Sequence, residues 1–262
     1  MNAKIKVLLD NLNKLSPSKN KLNIIHSSLW LSSPTLTDLP VLFTELLSIL
    51  GKNSTLCFPS FTFKNNRKPN AVWNIESTRG ETGILSEYVR KDLKSIRTVH
   101  PTHSFVLIGK NSSDIAAFTG ESTFGSDSTL NNLVELGAQN ISFGSGLVGG
   151  HSFFHVAEEL QKVPYRSFTT LDTPCVLKNG NMHTGAFNYF ARNVCLDGKY
   201  HENDWDSAWI HLEDKKLIVS IDSEFGMVAL SDCKKVLNFM KSKIKFDPFV
   251  YAKKCEHHKS NN

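Results

Sequence analysis

One segment of the chain combines three residue types that together can move protons. Ser152, His155 and Glu158 are spaced three apart, so on a helix their hydroxyl, imidazole and carboxylate fall on one face. A carboxylate beside a histidine can orient the ring and favour its charged form, while the other ring nitrogen accepts a proton. The spacing predicts a general-base site, and it equally suits a half-buried helix whose histidine is satisfied by a neighbouring side chain.

The residues before this segment predict the elements that position it. Ile141 and Phe143 indicate the end of a buried strand. Four glycines between residues 144 and 150 allow a sharp turn or a close approach of the backbone to a ligand. Ser152 could then cap the helix that carries His155.

A second strand, turn and helix lie near the N-terminus. A strand predicted at 22–26 runs directly into Ser27-Ser28-Leu29, and a leucine-rich helix is predicted from about Thr37 to Leu50. Backbone N–H groups and serine hydroxyls converge where a helix dipole is positive, so this turn could bind an anion. A capped loop without a ligand would have the same sequence.

Polar residues are also dense just before a strand predicted at 105–109. Arg97, His100 and His103 stand there among the hydroxyls of residues 98–104. Satisfying the end of a buried strand needs fewer polar groups than this. The segment is therefore a candidate binding region.

Composition restricts the class of protein. The chain has 262 residues, of which 40% are hydrophobic, and a formal net charge of +5, typical of a soluble protein with a sizeable core. The lysines are spread out, so we expect no nucleic-acid partner, although a mildly positive field favours an anionic ligand. The five cysteines lack a C-x-x-C pair, which predicts reduced thiols. No signal-peptide or membrane-spanning run is evident, so we expect no membrane association and a cytoplasmic location.

Strands alternate with helices between residues 22 and 160, which predicts an α/β sheet covered by helices on both faces. Beyond residue 160 short β segments follow at 163–165, 168–171 and 175–177, then strands over 217–229 and a helix over 231–240. We predict one domain over 1–262. Its core would span 22–160, and 161–250 would hold a small β-rich excursion and the C-terminal strands and helix.

Six motifs follow one another along the chain: His26-Ser27-Ser28-Leu29, Pro59 followed by Thr62, Glu81-Thr82-Gly83-Ile84-Leu85, Arg97-Thr98-Val99-His100-Pro101-Thr102-His103-Ser104, Phe124-Gly125-Ser126-Asp127-Ser128 and Ser152-x-x-His155-x-x-Glu158. Their order resembles the aminoglycoside 3-N-acetyltransferase family over about residues 22–160, and more weakly from the acidic segment near 204 to the final helix. In this family residues 22–160 would be the CoA-binding and catalytic core of a single acyltransferase domain. The resemblance implies a three-layer α/β/α sandwich around a mixed β-sheet. It also implies direct transfer of an acetyl group from acetyl-CoA, or another short acyl-CoA, to a primary amine of an amino sugar.

The resemblance also implies roles for residues. His155 would be the base, Glu158 would orient it, and Ser152 would complete the catalytic set. The predicted CoA contacts are His26, Ser27, Ser28, Leu29, Arg97, His100, His103, Ser104, Phe124 and Ser128. We predict acceptor contacts at Thr62, Glu76 and Asp206, although the two acids could equally be solvated surface residues. No metal is expected, and a homodimer is predicted.

Two departures from the family pattern bear on the acceptor. Family members commonly carry threonine at the position of Ser152, and those that bind polycationic aminoglycosides are typically acidic, whereas this chain is basic. The charge favours an amino sugar carried on a nucleotide, as in surface-polysaccharide biosynthesis, over an aminoglycoside antibiotic. An oxyanion donor could be Ser152 or a backbone N–H of residues 144–150.

Two other classes of function remain open at this point. His100-x-x-His103 and His151-x-x-x-His155-x-x-Glu158 have spacings that could bind a metal in a hydrolase, but the glutamate next to the first histidine of zinc proteases is absent. A protein that binds CoA without catalysis would share the turn motifs. Replacing His155 distinguishes that class from the enzyme.

Overall fold

A computed structural model describes residues 2–64, 70–118, 120–145, 150–183, 185–195 and 198–253. Its strands are β1 (Leu22–Ser27), β2 (Thr55–Pro59), β3 (Trp73–Asn74), β4 (Ile96–Arg97), β5 (Phe105–Gly109), β6 (Gln139–Ser145), β7 (Arg166–Leu171), β8 (Cys175–Val176), β9 (Met182–His183), β10 (Phe187–Arg192), β11 (Ile218–Ile221) and β12 (Met227–Asp232). Its helices are α1 (Ala3–Lys14), α2 (Asp38–Leu50), α3 (Ile84–Arg90), α4 (Ser112–Ala117), α5 (Thr129–Glu135), α6 (Phe154–Leu160), α7 (Trp205–Asp214) and α8 (Cys233–Phe246).

Within the described ranges, seven strands form a mixed sheet in the order β11-β12-β6-β1-β2-β5-β4. The central strand β1 runs parallel to β6 and β2, and the outer strands are antiparallel to their neighbours. Ser27 at the end of β1 is in register with Phe143 of β6. The turn after β1 and the glycine-containing segment after β6 therefore leave the sheet at the same edge.

Successive side chains of the central strands point to opposite faces of the sheet, as the alternation of a strand requires. Ile24 packs in one apolar cluster with residues of α4–α8, while Ile25 packs in the other with residues of α1–α3. Helices thus cover both faces, which confirms the predicted three-layer α/β/α sandwich.

The predicted β-rich excursion follows α6. Strands β7 and β10 pair antiparallel, and β8 pairs with β9 in a separate small sheet. That sheet also takes in β3 from the first half of the chain, which runs parallel to β8. Such a pairing between distant segments has no local sequence signal.

Three local predictions need correction. Residues 163–165 are not a strand, because β7 begins only at Arg166. The last helix begins at Cys233, where the Asp232 carboxylate caps it by accepting from the Lys235 N–H, and it runs on to Phe246. Cys57, Cys175 and Cys233 are free and buried, but Cys195 is disulfide-bonded, so the expectation of reduced thiols is wrong for that residue.

None of the helices described has the length and hydrophobicity needed to cross a membrane.

Candidate active site

The centre of the site is an ion-pair-like contact within one turn of α6. His155 Nδ1 lies 2.5 Å from Glu158 Oε2, as expected for residues three apart on a helix. The Glu158 side chain is fully buried, whereas 24% of the His155 side chain is exposed. The carboxylate therefore belongs to the core, and the imidazole lies at its boundary with solvent.

Residues from outside α6 complete the surroundings of Glu158. Its Oε1 accepts hydrogen bonds from the Tyr165 hydroxyl at 2.9 Å and from Asn203 Nδ2 at 2.6 Å. Arg166 Nε lies 3.0 Å from Oε2. A buried carboxylate is costly unless it is paired and hydrogen-bonded, and these four partners, counting His155, meet both conditions.

The contacts around His155 Nδ1 select one tautomer. An ionised carboxylate only accepts hydrogen bonds, so Nδ1 must carry the proton that faces Glu158. The same nitrogen lies 3.1 Å from Arg166 Nη2, and with Nδ1 protonated that contact is not a hydrogen bond. Arg166 Nη2 instead donates to Asn203 Oδ1, also at 3.1 Å. The unprotonated nitrogen of the neutral ring is therefore Nε2.

The charge states fit this assignment. Burial opposes ionisation of Glu158, but His155, Arg166 and Tyr165 together outweigh burial and hold the pKa of the carboxyl below its ordinary value. Burial and then the charge of Arg166 lower the pKa of His155, although Glu158 acts in the opposite direction. At neutral pH the pair is an ionised glutamate and a neutral histidine, which is the form that can accept a proton.

Aromatic rings enclose the imidazole. The centroid of the Phe124 ring lies 4.8 Å from that of His155, and the Trp205 ring lies 5.3 Å away. Phe124 also contacts His103 and Tyr189 at 4.9 and 6.3 Å. The imidazole thus lies between two aromatic rings, which leave only part of it in contact with solvent.

Ser152 does not take the position predicted for it. Its hydroxyl lies 3.2 Å from His26 Nε2, and helix α6 begins with no side-chain cap, Phe153 being the N-cap residue. The contact between Ser152 and His155 is through the backbone: the Ser152 carbonyl accepts from the His155 N–H at 3.2 Å. The prediction that Ser152 caps the helix is therefore wrong, because a long-range partner takes its hydroxyl.

A small cavity of about 160 Å³ lies beside this contact, lined by His26, Ser27, Ser28, Pro59, Thr82, Ser145 and Gly150. Gly150 has φ +131, and a Cβ there would come within 2.6 Å of Ser142 Oγ, so only glycine fits this wall. A groove of about 560 Å³ shares Ser27, Ser28 and Thr82 with the cavity and opens to the surface. Burial lowers the pKa of His26 to about 3, so the ring in the cavity wall is neutral.

Comparison with known proteins identifies the family. The family model of the aminoglycoside 3-N-acetyltransferases matches residues 24–244. This chain belongs to that family. No curated protein matches it.

Solved structures of the same fold include AAC-IIIb with CoASH, with 16% identity, a TM-score of 0.77 and coverage of 92% of this chain and 96% of that one. A mutant of AAC(3)-IVa in complex with apramycin has 19% identity, a TM-score of 0.73 and coverage of 94% and 93%. The YokD protein from Bacillus subtilis has 16% identity, a TM-score of 0.74 and coverage of 93% of each chain. The predicted N-acetyltransferase family and fold class are thereby confirmed.

The predicted CoA contacts of this acetyltransferase fall into two groups. Ser27, Ser28 and Leu29 line the groove, and His26 lines the cavity. Arg97 instead is buried and donates to backbone carbonyls and a hydroxyl: Nε to Ser104 Oγ at 3.0 Å and Nη2 to the Ser60 carbonyl at 3.0 Å. Its guanidinium also lies 4.8 Å from the centre of the Trp73 ring. These contacts join β4 to neighbouring loops.

The histidines near β4 are similarly engaged. His100 Nδ1 accepts from the backbone N–H groups of Thr102 and His103 at 3.2 and 3.0 Å. His103 packs against Phe61 and Phe124. Ser104 donates its hydroxyl to the Ser60 carbonyl at 2.8 Å. Their contact with CoA stays a prediction.

The remaining predicted residues lie in different places. The Ser128 hydroxyl caps α5 by accepting from the Asn131 N–H at 3.0 Å. Thr62 is fully buried, and its hydroxyl donates to the Pro101 carbonyl at 2.6 Å. Glu76 is exposed in a turn after β3, and Asp206 is exposed in the first turn of α7, next to Trp205. Of these, only Asp206 adjoins a residue that contacts His155.

Arg166, Tyr165 and Asn203 are site residues that the sequence analysis missed. Tyr165 and Arg166 follow α6 by a few residues, and Asn203 lies in a loop 45 positions beyond Glu158. No periodic spacing links the three residues. A basic residue just after the His-x-x-Glu turn was the available signal, since a buried carboxylate needs a cation.

No group of three or more histidine, cysteine, aspartate or glutamate side chains in the described ranges is arranged to hold a metal ion. The ring of His151 packs against Phe154 and Trp209, at 4.9 and 5.3 Å, whereas His155 turns towards Glu158. The two histidines of the proposed zinc-like spacing therefore belong to different environments.

Proposed function

We propose that this protein transfers the acetyl group of acetyl-CoA to a primary amine of an amino sugar, with His155 as the general base. The observation that carries the proposal is the geometry around Glu158. Tyr165, Asn203 and Arg166 hold this buried carboxylate, and it in turn holds Nδ1 of a partly exposed neutral histidine. A base oriented in this way keeps Nε2 for substrate.

The chemistry follows from the charge of the amine. An ammonium has no lone pair, so it must first lose one proton to solvent before nitrogen can attack the thioester carbonyl. Nε2 of His155 then accepts a second proton, from the amine, as the C–N bond forms. The C–S bond then breaks, and the CoA thiolate takes up the proton that the imidazolium releases. A positioned base of this kind contributes roughly 10²–10⁴-fold in rate.

Glu158 supports this proton transfer without itself reacting. Its negative charge stabilises the imidazolium that forms on His155, and Arg166, Tyr165 and Asn203 keep it ionised. The low pKa of His155 means that the base is already neutral before the amine arrives.

The groove and cavity fit an acyl-CoA donor. Four hydroxyl side chains line the groove, from Ser27, Ser28, Ser33 and Thr82. The cavity at its inner end includes His26, which contacts Ser152, the residue whose carbonyl holds the His155 N–H. A pantetheine arm in this path would lead its thioester towards the base. The fold neighbour with CoASH supports this assignment.

The oxyanion donor stays a prediction. The Ser152 hydroxyl is one candidate, and its contact with His26 leaves it beside the cavity. Of the other candidates, the N–H groups of residues 146–149 lie outside the described residues. The single-domain boundaries and the homodimer likewise stay predictions.

Charges near the base favour an acceptor that carries an anionic group. Arg192 is exposed at the end of β10, in register with Arg166 of β7. Burial and Arg166 lower the pKa of His155 most, and Arg192 lowers it further, which indicates that its charge acts at the base. An acceptor with several ammonium groups would meet these positive charges, whereas the phosphates of a nucleotide-linked amino sugar would be attracted by them.

An aminoglycoside is the second candidate acceptor. Family membership and the neighbouring structure with apramycin support it. The exposed Asp206 beside Trp205 could meet one ammonium group of such a molecule. The two acceptor classes therefore differ in which exposed charge, Arg192 or Asp206, contributes to binding.

The test is acetyl-CoA consumption, followed as free-thiol release, with two acceptor panels: aminoglycosides and nucleotide-linked amino sugars. The wild-type protein is compared with His155→Ala, Arg192→Gln and Asp206→Asn. We expect turnover with the nucleotide-linked panel, a loss of roughly 10²–10⁴-fold in His155→Ala, and an increased KM for that panel in Arg192→Gln.

The outcomes separate the alternatives. Turnover with aminoglycosides that depends on Asp206 and not on Arg192 would replace the preferred acceptor by the second one. Protein that binds CoA in calorimetry but acetylates no amine of either panel would contradict the enzyme proposal and indicate a binding role.

A further inference from the structure

Trp30 is a large aromatic residue that the fold leaves in solvent. It directly follows the Ser27-Ser28-Leu29 turn, and 79% of its surface is exposed. Its backbone is nevertheless fixed, because the Trp30 carbonyl accepts from the Ser33 hydroxyl at 2.9 Å. An indole combines a large apolar face with one N–H donor, which suits it to contacts at an interface.

The ring lies at the mouth of the groove described above. The turn from Ser27 to Pro34 forms one wall, and residues 81–84 form the other. Trp30, Pro34 and Ile84 provide apolar surface in these walls, with hydroxyl groups between them. Such a groove suits a flat, apolar ligand with polar edges.

The groove has a definite direction. Its inner end shares Ser27, Ser28 and Thr82 with the cavity lined by His26. The His26 ring contacts the hydroxyl of Ser152, whose carbonyl accepts from the N–H of His155, so the inner end is the side nearer to the base. A donor whose thioester lies at His155 would therefore point its opposite end outwards, along the groove. In acyl-CoA that opposite end is the adenine nucleotide.

We infer that Trp30 is the stacking platform for the adenine of CoA, with Ile84 of the other wall as the facing apolar surface. The inference rests on the proposed donor. Adenine offers a π-face to an aromatic ring, and stacking of one base on one aromatic side chain is a common source of nucleotide affinity. A positive charge also lies close by, because Lys4 Nζ contacts the carbonyl of Leu31, the residue after Trp30, at 3.5 Å. The acid in the groove, Glu81, binds the Lys64 N–H at 2.8 Å through Oε1.

The test combines a variant with a truncated donor. Acetyl-CoA and acetyl-pantetheine, which lacks the nucleotide, are compared as donors for the wild-type protein, Trp30→Ala and Trp30→Phe. If the indole binds adenine, Trp30→Ala reduces the preference for acetyl-CoA, measured as the ratio of the two kcat/KM values, by roughly 5- to 100-fold. Trp30→Phe restores most of that preference.

Leu36→Ala is the matched control, because Leu36 is a second exposed apolar residue of the same loop, with 75% exposure, and does not line the groove. It should leave the ratio unchanged. Equal losses with both donors in Trp30→Ala, or no loss with either, would overturn the inference.

A binding measurement keeps this inference separate from the proposed function. Titration of the protein with free CoA, followed by calorimetry and by tryptophan fluorescence, needs no acceptor. Weaker CoA binding in Trp30→Ala but not in Leu36→Ala would support the inference even if no amine were acetylated. Undiminished CoA binding in Trp30→Ala would refute it even if the enzyme were fully active.

Discussion

Two of the regions of this enzyme that contain histidine, α6 and the segment between β4 and β5, give the ring opposite surroundings. In α6, His155 is partly exposed and its Nδ1 faces the buried Glu158 carboxylate. Between β4 and β5, His100 is buried, and its Nδ1 accepts from two backbone N–H groups. The first ring donates to a carboxylate and has a second nitrogen with no proton, whereas the second ring accepts hydrogen bonds that fix a loop.

The comparison shows that residue type alone does not identify a catalytic group. Both regions combine histidine, hydroxyl and charged residues within a few positions. What distinguishes them is the partner of the ring: a carboxylate favours the imidazolium, and backbone N–H groups favour the neutral ring. A proton-transfer role requires the first kind of partner together with an accessible nitrogen.

Making the same substitution in both regions should produce the largest difference. His155→Leu removes the base, so we expect kcat/KM to fall by roughly 10²–10⁴-fold. His100→Leu leaves the N–H groups of Thr102 and His103 without their acceptor, which should cost about 1–3 kcal/mol of unfolding free energy for each unsatisfied group. Steady-state kinetics and urea denaturation of both variants measure the two effects.

One outcome of this experiment would instead support a contact between His100 and CoA. If folded His100→Leu shows a tenfold or greater increase in the KM for acetyl-CoA, the predicted CoA contact would be supported and the contrast between the two regions would fail. An unchanged KM in a less stable protein would agree with the loop role.

Replacing Glu158 tests the carboxylate that contacts His155 rather than His155 itself. In Glu158→Gln the buried Arg166 loses its counter-charge, so we expect a loss of about 3–5 kcal/mol in unfolding free energy. The negative charge of Glu158 raises the pKa of His155 against the larger effects of burial and Arg166. Its removal should therefore move the acidic limb of the kcat/KM profile to lower pH, while the plateau falls.

Glu159→Gln is the control on the neighbouring residue. Glu159 accepts from the Ser122 hydroxyl and from the Phe124 N–H, so it fixes the loop of residues 122–124. In the described ranges it makes no hydrogen bond or ion pair with His155. Its replacement should leave the acidic limb in place. An equal shift in both glutamine variants would contradict the assignment of Glu158 as the residue that tunes the base.

Much of this site could be predicted because its centre is local. His155 and Glu158 are three residues apart on one helix, and the Ser27–Leu29 turn follows a strand whose apolar residues mark it clearly. Periodicity fixes such neighbours without knowledge of the fold.

The rest depended on contacts between distant segments. Ser152 satisfies every local rule for a helix cap, yet its hydroxyl contacts His26, 126 positions away. Asn203 reaches Glu158 from a loop before α7. The side chain of Arg97 is surrounded by carbonyls of residues 60, 75 and 78. The folded chain decides these partners, and sequence spacing carries no information about them.

Arg97 extends the comparison to the charged residue of the β4–β5 region. Lysine cannot reproduce the planar fork that reaches Ser104 Oγ and the Ser60 carbonyl together. We expect Arg97→Lys to lower the unfolding free energy by about 1.5–3 kcal/mol, with little change in the KM for acetyl-CoA. A stable variant with a greatly increased KM would instead place Arg97 at the donor phosphates.

Acid should destabilise the fold through its buried histidines. Burial lowers the pKa of His100 and of His151 to about 3, whereas in the unfolded chain each is near 6.5. Below pH 6.5 these histidines bind protons in the unfolded chain but stay neutral in the folded protein. Stability is therefore complete above that pH and falls by about 1.4 kcal/mol per pH unit for each residue as the pH decreases towards 3.

Urea denaturation at neutral pH and at about pH 5 measures the slope. Burial lowers the pKa of His26, His103 and His155 as well, so His100→Leu lacks one of several such groups. Its stability should fall less steeply than that of the wild type, and an identical slope would show that His100 is protonated in the folded protein.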